Sequence, residues 1–157
     1  FATYKPDTYE TILGGSWTVN SSKQAIADEV GDVFRFKASG SSFEVFYKTQ
    51  QGGPQTLHLE LQKEDGTIVH QADVNTYSLS AISTKSYKFP MVAYNMYDSY
   101  VIVGTIPVGA TYKFTLDSFK VLTANVDVEV RGSVDNTTWT AWEKVPSTLT
   151  QVGTTTT

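Results

Sequence analysis

Between residues 31 and 75 the sequence alternates apolar and polar residues in short runs, and glycine-rich breaks separate the runs. The apolar positions of three runs are Phe34, Phe36, Ala38, Phe43, Val45, Tyr47, Leu57, Leu59 and Leu61. A period of two places such residues on one face of a β-strand. The breaks, among them Gly40 and the Asp65-Gly66 pair, are typical of turns between neighbouring strands. The stretch therefore predicts a series of antiparallel hairpins with one buried face.

Similar runs recur towards the C-terminus, with apolar positions at Tyr112, Phe114, Leu116, Val128 and Val130. About eight to ten short strands with turns every ~8–12 residues are typical of a β-sandwich or closed barrel. We therefore predict an all-β fold, a single-domain antiparallel jelly-roll β-sandwich over residues 14–145. The phenylalanines, leucines and valines of these runs, together with Tyr112, are expected to form one core.

The two ends of the chain lack a periodic apolar face. Residues 1–13 carry Pro6 and no steady alternation, which predicts an N-terminal arm, and residues 146–157 form a threonine-rich tail or linker. Segments of this kind have little reason to fold alone. We expect residues 1–10 of the arm, and the tail after Pro146, to become ordered on a neighbouring chain, most simply in a homo-oligomer.

Charge and composition exclude several classes of protein. Twelve basic against 16 acidic residues give a net charge of −4 with no basic block, which argues against nucleic-acid binding. No apolar run approaches the ~20 residues that span a bilayer, so no membrane insertion is expected. The absence of cysteine excludes disulfides and thiolate zinc sites.

Several short motifs follow one another in a distinctive order. They are Gly31 to Phe36, Gly40, Phe43 to Tyr47, a glycine-rich loop and a strand leading to Asp65-Gly66, and the later step Ile106 to Leu116. This order resembles that of the galactose-binding-like jelly roll. Many carbohydrate-binding modules and accessory domains of sugar esterases share this fold. The segment Val128 to Trp142 is similar to segments of discoidin-like domains and of phage tail and virion proteins. Calcium-binding members of the group use an acidic ligand set for which Glu10 is the only early counterpart here. We therefore expect no cofactor, and a structural calcium stays an alternative that the sequence does not support.

Residues that could carry catalysis are few. Ser16 follows Gly14-Gly15 but does not form a nucleophile motif with a histidine base. His58 and His70 lie on neighbouring predicted strands and could face each other around a metal, but a third ligand is not evident. Glu60, Glu64 and Asp65 could pair as carboxylates for glycoside hydrolysis, although a turn favours polar residues in any case. We interpret all of these as solvated strand or turn residues and expect no enzyme activity.

The segment from residue 86 to 100 holds a surplus of aromatic residues around Pro90, which predicts an ordered loop. Tyrosine has a flat apolar body and a polar tip, which suits stacking on sugar rings or anchoring a protein interface. If this loop meets the loop Thr49 to Gln55 at one end of the sandwich, the two form a single binding patch. The predicted ligand-binding residues are Tyr87, Tyr94, Asn95, Tyr97, Asp98, Tyr100 and Gln51.

Three functions are consistent with the predicted fold and binding residues. The first is a non-catalytic binding or adhesion module on a virion or cell surface, with a carbohydrate as its ligand. The second is a structural virion protein, either a capsid decoration or a tail component, whose jelly roll contacts neighbouring subunits. The third and most distant is an accessory domain of a sugar-active enzyme. The expected partner is therefore a glycan or a neighbouring protein subunit.

Overall fold

A computed structural model describes residues 1–27, 29, 31–50, 56–79, 81–90, 98–106, 113–123, 129–133, 135, 137–141 and 143–144. The chain divides into two compact units, Phe1–Ala124 and Asn125–Thr157. The described residues contain no helix that is long and apolar enough to cross a membrane.

The described strands of the first unit form two antiparallel sheets. In chain order they are β1 (Ala2–Tyr4), β2 (Thr11–Gly14), β3 (Trp17–Val19), β4 (Ala25–Ala27), β5 (Val33–Ser39), β6 (Ser42–Thr49), β7 (Leu57–Lys63), β8 (Ile68–Val74), β9 (Ser83–Lys88), β10 (Ser99–Thr105) and β11 (Phe114–Leu122). One sheet has the order β3-β4-β11-β6-β9, with β1 also paired to β11, and the other has the order β2-β5-β10-β7-β8. Most connections after β5 cross between the sheets, as the β5–β6–β7 path does. The sheets do not close into a barrel, so the predicted all-β sandwich is confirmed.

The core lies between the two sheets and is built by the alternating positions of the sequence. Its fully buried side chains include Phe34, Phe36, Phe43, Val45, Leu57, Leu59, Leu61, Phe114 and Leu116, as predicted. Phe36 of β5 stacks on Phe119 of β11 across the sheets, with ring centroids 4.1 Å apart and planes 5° from parallel. Tyr112 and Val128 lie outside the described residues, and the side chain of Val130 is not described.

Residues 1–13, which the sequence predicts to be an arm whose first ten residues are ordered by a neighbouring chain, instead supply strands to the chain's own sandwich. β1 pairs antiparallel with β11 and places Tyr4 opposite Phe119, while β2 pairs with β5 and places Leu13 opposite Phe34. Tyr4 and Leu13 both pack against the core. These short strands have too few residues to show a period, which is why the sequence pattern misses them.

The second unit contains a small antiparallel ribbon. β12 (Glu129–Val130) pairs with β13 (Glu143–Lys144). Asp135 closes the turn between them by accepting hydrogen bonds from the backbone N–H groups of Thr138 at 2.6 Å and Thr137 at 2.9 Å, and these bonds hold the pKa of Asp135 well below its usual range. The predicted sandwich boundary at residue 145 differs from this arrangement, because the described strands of the two large sheets end at Leu122.

Candidate functional site

At the end of the sandwich where β10 begins, called here the Asp98 end, backbone hydrogen bonds extend the strand pairing of each sheet. The Gly40 N–H donates to the Asp98 carbonyl at 3.2 Å, and the Phe89 N–H donates to the Phe43 carbonyl at 2.9 Å. The turn between β7 and β8 lies at the same end, because Lys63 pairs with Tyr100. This end therefore brings together residues that are distant in sequence.

An open pocket of about 370 Å³ lies at the Asp98 end. Its lining residues are Lys63, Glu64, Asp65, Asp98, Ser99 and Tyr100. The Lys37 ammonium contacts the Glu64 carboxylate at 2.7 Å, and this hydrogen bond lowers the pKa of Glu64. The Thr67 N–H donates to Asp65 at 2.9 Å and lowers the pKa of Asp65. The pocket thus presents ionised carboxylates and a hydroxyl group in fixed positions.

Two of the predicted ligand-binding residues, Asp98 and Tyr100, line this pocket, and only Asp98 is exposed. Tyr100 is 4% exposed, and its ring packs edge-on against Phe43 with centroids 5.5 Å apart. A buried ring offers no free face to a sugar. The structure therefore assigns Tyr100 to the core that supports the pocket and not to ligand stacking.

Tyr87 lies on the edge strand β9, where it connects the two sheets. Its hydroxyl lies 2.8 Å from Nε2 of His70 on β8, and the two rings are 15° from parallel. The Tyr87 ring also meets Phe89 edge-on, with centroids 5.1 Å apart. These contacts close one side of the sandwich, so Tyr87 has a structural role in addition to any surface it presents.

The two loops that were predicted to form one patch leave the sandwich at opposite ends. Gln50 exchanges backbone hydrogen bonds with Thr76 and Ser78, whereas Phe89 bonds to Phe43 at the other end of β6. Seven residues of extended chain separate Phe43 from Gln50, a distance of about 23 Å. Four predicted site residues, Gln51, Tyr94, Asn95 and Tyr97, lie outside the described residues.

His58 and His70 occupy opposite faces of the five-stranded sheet. His58 pairs with Asp73 across β7 and β8, and His70 pairs with Leu61, whose side chain is fully buried. Successive side chains of a strand point to opposite faces, so His58 faces outwards and His70 faces the core. The two cannot share a metal. Within the described residues, no three histidine or carboxylate groups are placed to hold one.

A continuous chain of side-chain hydrogen bonds lies on the outer face of this sheet. Nδ1 of His58 lies 2.7 Å from Asp73, Nε2 of His58 lies 3.1 Å from Glu60, and the Gln62 amide donates to the second oxygen of Glu60. We call Asp73, His58, Glu60 and Gln62 the polar row. Sequence reasoning treated His58 and Glu60 as unconnected solvated residues. The alternation of His58, Glu60 and Gln62 was visible in the sequence. The position of Asp73 beside His58 depends on the register between β7 and β8, which the sequence does not show.

The partners of His58 stabilise its charged form. The hydrogen bond that His58 donates to Asp73 raises the pKa of His58, partial burial opposes this rise, and the bond that it donates to Glu60 reinforces it. Because a carboxylate faces each ring nitrogen, both nitrogens need a proton to donate. The polar row is therefore held most firmly when His58 is an imidazolium.

No protein-family model matches the sequence, and no curated protein matches it either. Solved structures do match its fold. The CBM36-1 domain of a multidomain xylanase from the hindgut metagenome of Trinervitermes trinervoides has a TM-score of 0.51 and 11% identity, and the match covers 80% of this chain and 98% of that domain. The likeness confirms the predicted carbohydrate-binding-module-like sandwich.

Two esterases share the same fold over part of their length. A family two carbohydrate esterase from Cellvibrio japonicus has a TM-score of 0.59 and 7% identity, with 78% of this chain and 33% of that chain covered. A two-domain esterase active on acetylated mannans, co-crystallised with mannopentaose, has a TM-score of 0.59 and 12% identity, with 79% and 37% covered. The present chain thus spans about a third of the length of these esterases. At such low identity the likeness establishes the fold alone.

Proposed function

We propose that this protein is a non-catalytic carbohydrate-binding module that binds a glycan at the Asp98 end. The observation that carries the proposal is the match to nearly the whole of a CBM36 domain, combined with a polar pocket at the end of the sandwich. We further propose that the module acts outside the cell or on its surface. Within the described residues, the histidines bond carboxylates and a tyrosine rather than a serine hydroxyl, which favours binding over hydrolysis.

The pocket has the chemistry that a sugar needs. Sugar hydroxyls donate to carboxylates and accept from amines, and the pocket supplies Asp65, Asp98 and Lys63 for these bonds. Tyr94, Asn95 and Tyr97 precede Asp98 in the same loop, and we propose that they provide the ring faces and amide for stacking and orientation. Gln51 is omitted from this site, because Gln50 lies at the opposite end of the sandwich.

The experiment is titration calorimetry of the protein with xylo-, manno- and cello-oligosaccharides. A shallow site predicts dissociation constants from micromolar to millimolar, about −8 to −4 kcal/mol. Asp98→Ala and the double variant Tyr94→Ala/Tyr97→Ala should each weaken binding at least tenfold. Glu29→Ala, an exposed carboxylate far from this pocket, is the matched control and should bind as the parent does. The absence of binding across the panel, or parental affinity in both pocket variants, would contradict the proposal.

A second candidate function is subunit contact within a virion or another assembly. Leu79 and Ile82, in the connection between β8 and β9, are 80% and 65% exposed, and large exposed apolar side chains favour protein contacts. Sedimentation velocity would show a concentration-dependent oligomer that Leu79→Ser/Ile82→Ser dissociates. A monomer at high concentration would count against this role.

A further inference from the structure

The polar row is pre-ordered by its own hydrogen bonds. His58 holds Asp73 through one nitrogen and Glu60 through the other, and Gln62 holds the second oxygen of Glu60. Each of these four side chains is therefore fixed in orientation before any ligand arrives. A ligand that binds here loses little free energy to the ordering of side chains.

The hydrogen-bonding capacity left over in the polar row is mainly that of an acceptor. A charged His58 uses both of its N–H groups on carboxylates, and Gln62 uses one of its N–H groups on Glu60. Each carboxylate oxygen can accept a further bond, and in the described part of the chain the second oxygen of Asp73 has no partner. Two carboxylates and one imidazolium also leave a net charge of about −1. This surface fits a neutral ligand that is rich in hydroxyl donors and disfavours an anionic one.

The polar row leads along β7 to the pocket at the Asp98 end. His58, Glu60 and Gln62 occupy alternate positions on the outer face, and Glu64, which lines the pocket, follows two residues later. The strand extends about 17 Å from His58 to its end at Lys63, and Glu64 follows in the turn. The row and the pocket thus form one continuous polar track on the outer face, one strand in from the edge strand β8.

Small side chains lie beside the track. β10 places Val101 opposite Gln62 and Val103 opposite Glu60. Val103 is only 5% exposed, so Val101, which is partly exposed, supplies the accessible apolar surface of this flank. Arg35 is the cation aligned with Glu60 across the sheet, and it lies two strands away, about 9–10 Å between strands. The C–H face of a sugar ring can rest on Val101 while the hydroxyls reach the polar row.

We propose that the polar row extends the glycan site, so that the module binds the interior of a long neutral polysaccharide chain lying along β7. The proposal rests on the carbohydrate-binding function proposed above and assigns its ligand class. A short oligosaccharide contacts the pocket alone, and a longer one also reaches Gln62, Glu60 and His58. Affinity therefore rises with chain length until the track is filled.

The test compares a disaccharide with a hexasaccharide of the xylo-, manno- and cello- series by calorimetry. The parent should bind one hexasaccharide at least tenfold more tightly than the corresponding disaccharide. The variant His58→Thr/Glu60→Thr should lose this gain to within twofold while its disaccharide affinity stays unchanged, which also shows that it folds. Asp73→Asn, at a more exposed position, should lose part of the gain. Glu44→Thr on the outer face of the other sheet is the matched control and should keep it.

Each outcome separates this inference from the proposed function. A hexasaccharide advantage that survives in His58→Thr/Glu60→Thr overturns the track, while glycan binding at the pocket still stands. The inference is equally overturned if hexagalacturonate, an acidic chain of the same length, binds more tightly than the neutral hexasaccharides. The absence of binding to every sugar removes the proposed function itself, and the track with it.

Discussion

Gly104 is a point at which the core tolerates little change. It lies on β10 between Phe34 of β5 and Leu59 of β7. A Cβ atom at Gly104 would come far closer than 3.0 Å to the Phe34 ring, and its φ is not in the left-handed region. Phe34 is fully buried, and its ring meets Trp17 and Phe119 with centroids 6.2 Å and 5.7 Å away. The ring therefore has no free space into which it could move.

These contacts set the expected cost of Gly104→Ala. Overpacking a well-packed core costs about 1–3 kcal/mol, and the enclosed ring places this variant near 3 kcal/mol. Phe34→Leu alone should lose about 1–2 kcal/mol of burial but makes room for the new methyl group. The double variant Gly104→Ala/Phe34→Leu should then cost about 2 kcal/mol instead of the additive 4–5, a coupling within the usual range for residues in contact.

The assay is urea unfolding followed by tryptophan fluorescence, to which Trp17 beside Phe34 contributes, with the free energy of unfolding extrapolated to water. Gly14→Ala is the matched control, because a Cβ atom there meets only the Val33 carbonyl at 3.7 Å, and it should change stability by less than about 0.5 kcal/mol. Equal stability of Gly104→Ala and the parent would refute the packing argument. So would a double variant whose cost is the simple sum of the two single ones.

Three further predictions concern polar contacts. Asp117→Ala should lower the free energy of unfolding by about 1–3 kcal/mol in chemical denaturation, because it removes the acceptor of the Gln24 bond. Partial burial alone would raise the pKa of Asp117, but hydrogen bonds outweigh it and lower this pKa in the folded protein. The stability that Asp117 contributes is therefore present above its unfolded pKa and should be lost as pH falls through its folded pKa. The pKa of His58 is raised in the folded protein. The stability that His58 contributes is therefore present below its unfolded pKa and is lost as pH rises through its folded pKa. The melting temperatures of the parent and of His58→Asn should accordingly converge at high pH. Tyr87→Phe should cost about 1 kcal/mol in urea unfolding, since it removes the bond to His70.

The proteins that share this fold are distant in sequence. The matching proteins are named for binding or cleaving carbohydrate, yet their identity to this chain is 7–12%. At that distance a shared sandwich says where a site can lie and does not say which residues form it. The pocket at the Asp98 end and the polar row therefore carry the functional argument, because they are defined by this chain's own contacts.

The sequence by itself determined the sandwich and most of its core. Phe34, Phe36, Leu59 and Phe114 follow a period of two, and in a strand that period alone decides which face is buried. The Asp65-Gly66 turn was also evident, and Gly66 has the positive φ of 86° that such a turn requires. Local signals of this kind need only neighbours in sequence.

Only the tertiary structure decided which strand edges meet and which polar groups pair. β1 is ordered by pairing with β11, more than 100 residues away in sequence. A strand of three residues has no local pattern that could indicate such a partner. Asp73 meets His58 because of the β7–β8 register, in which an irregularity at Leu61/Gln62 shifts the pairing. A shift of one residue would turn Asp73 towards the core, since side chains alternate between faces. The polar row and the track that it forms are thus products of register, which the sequence pattern leaves open.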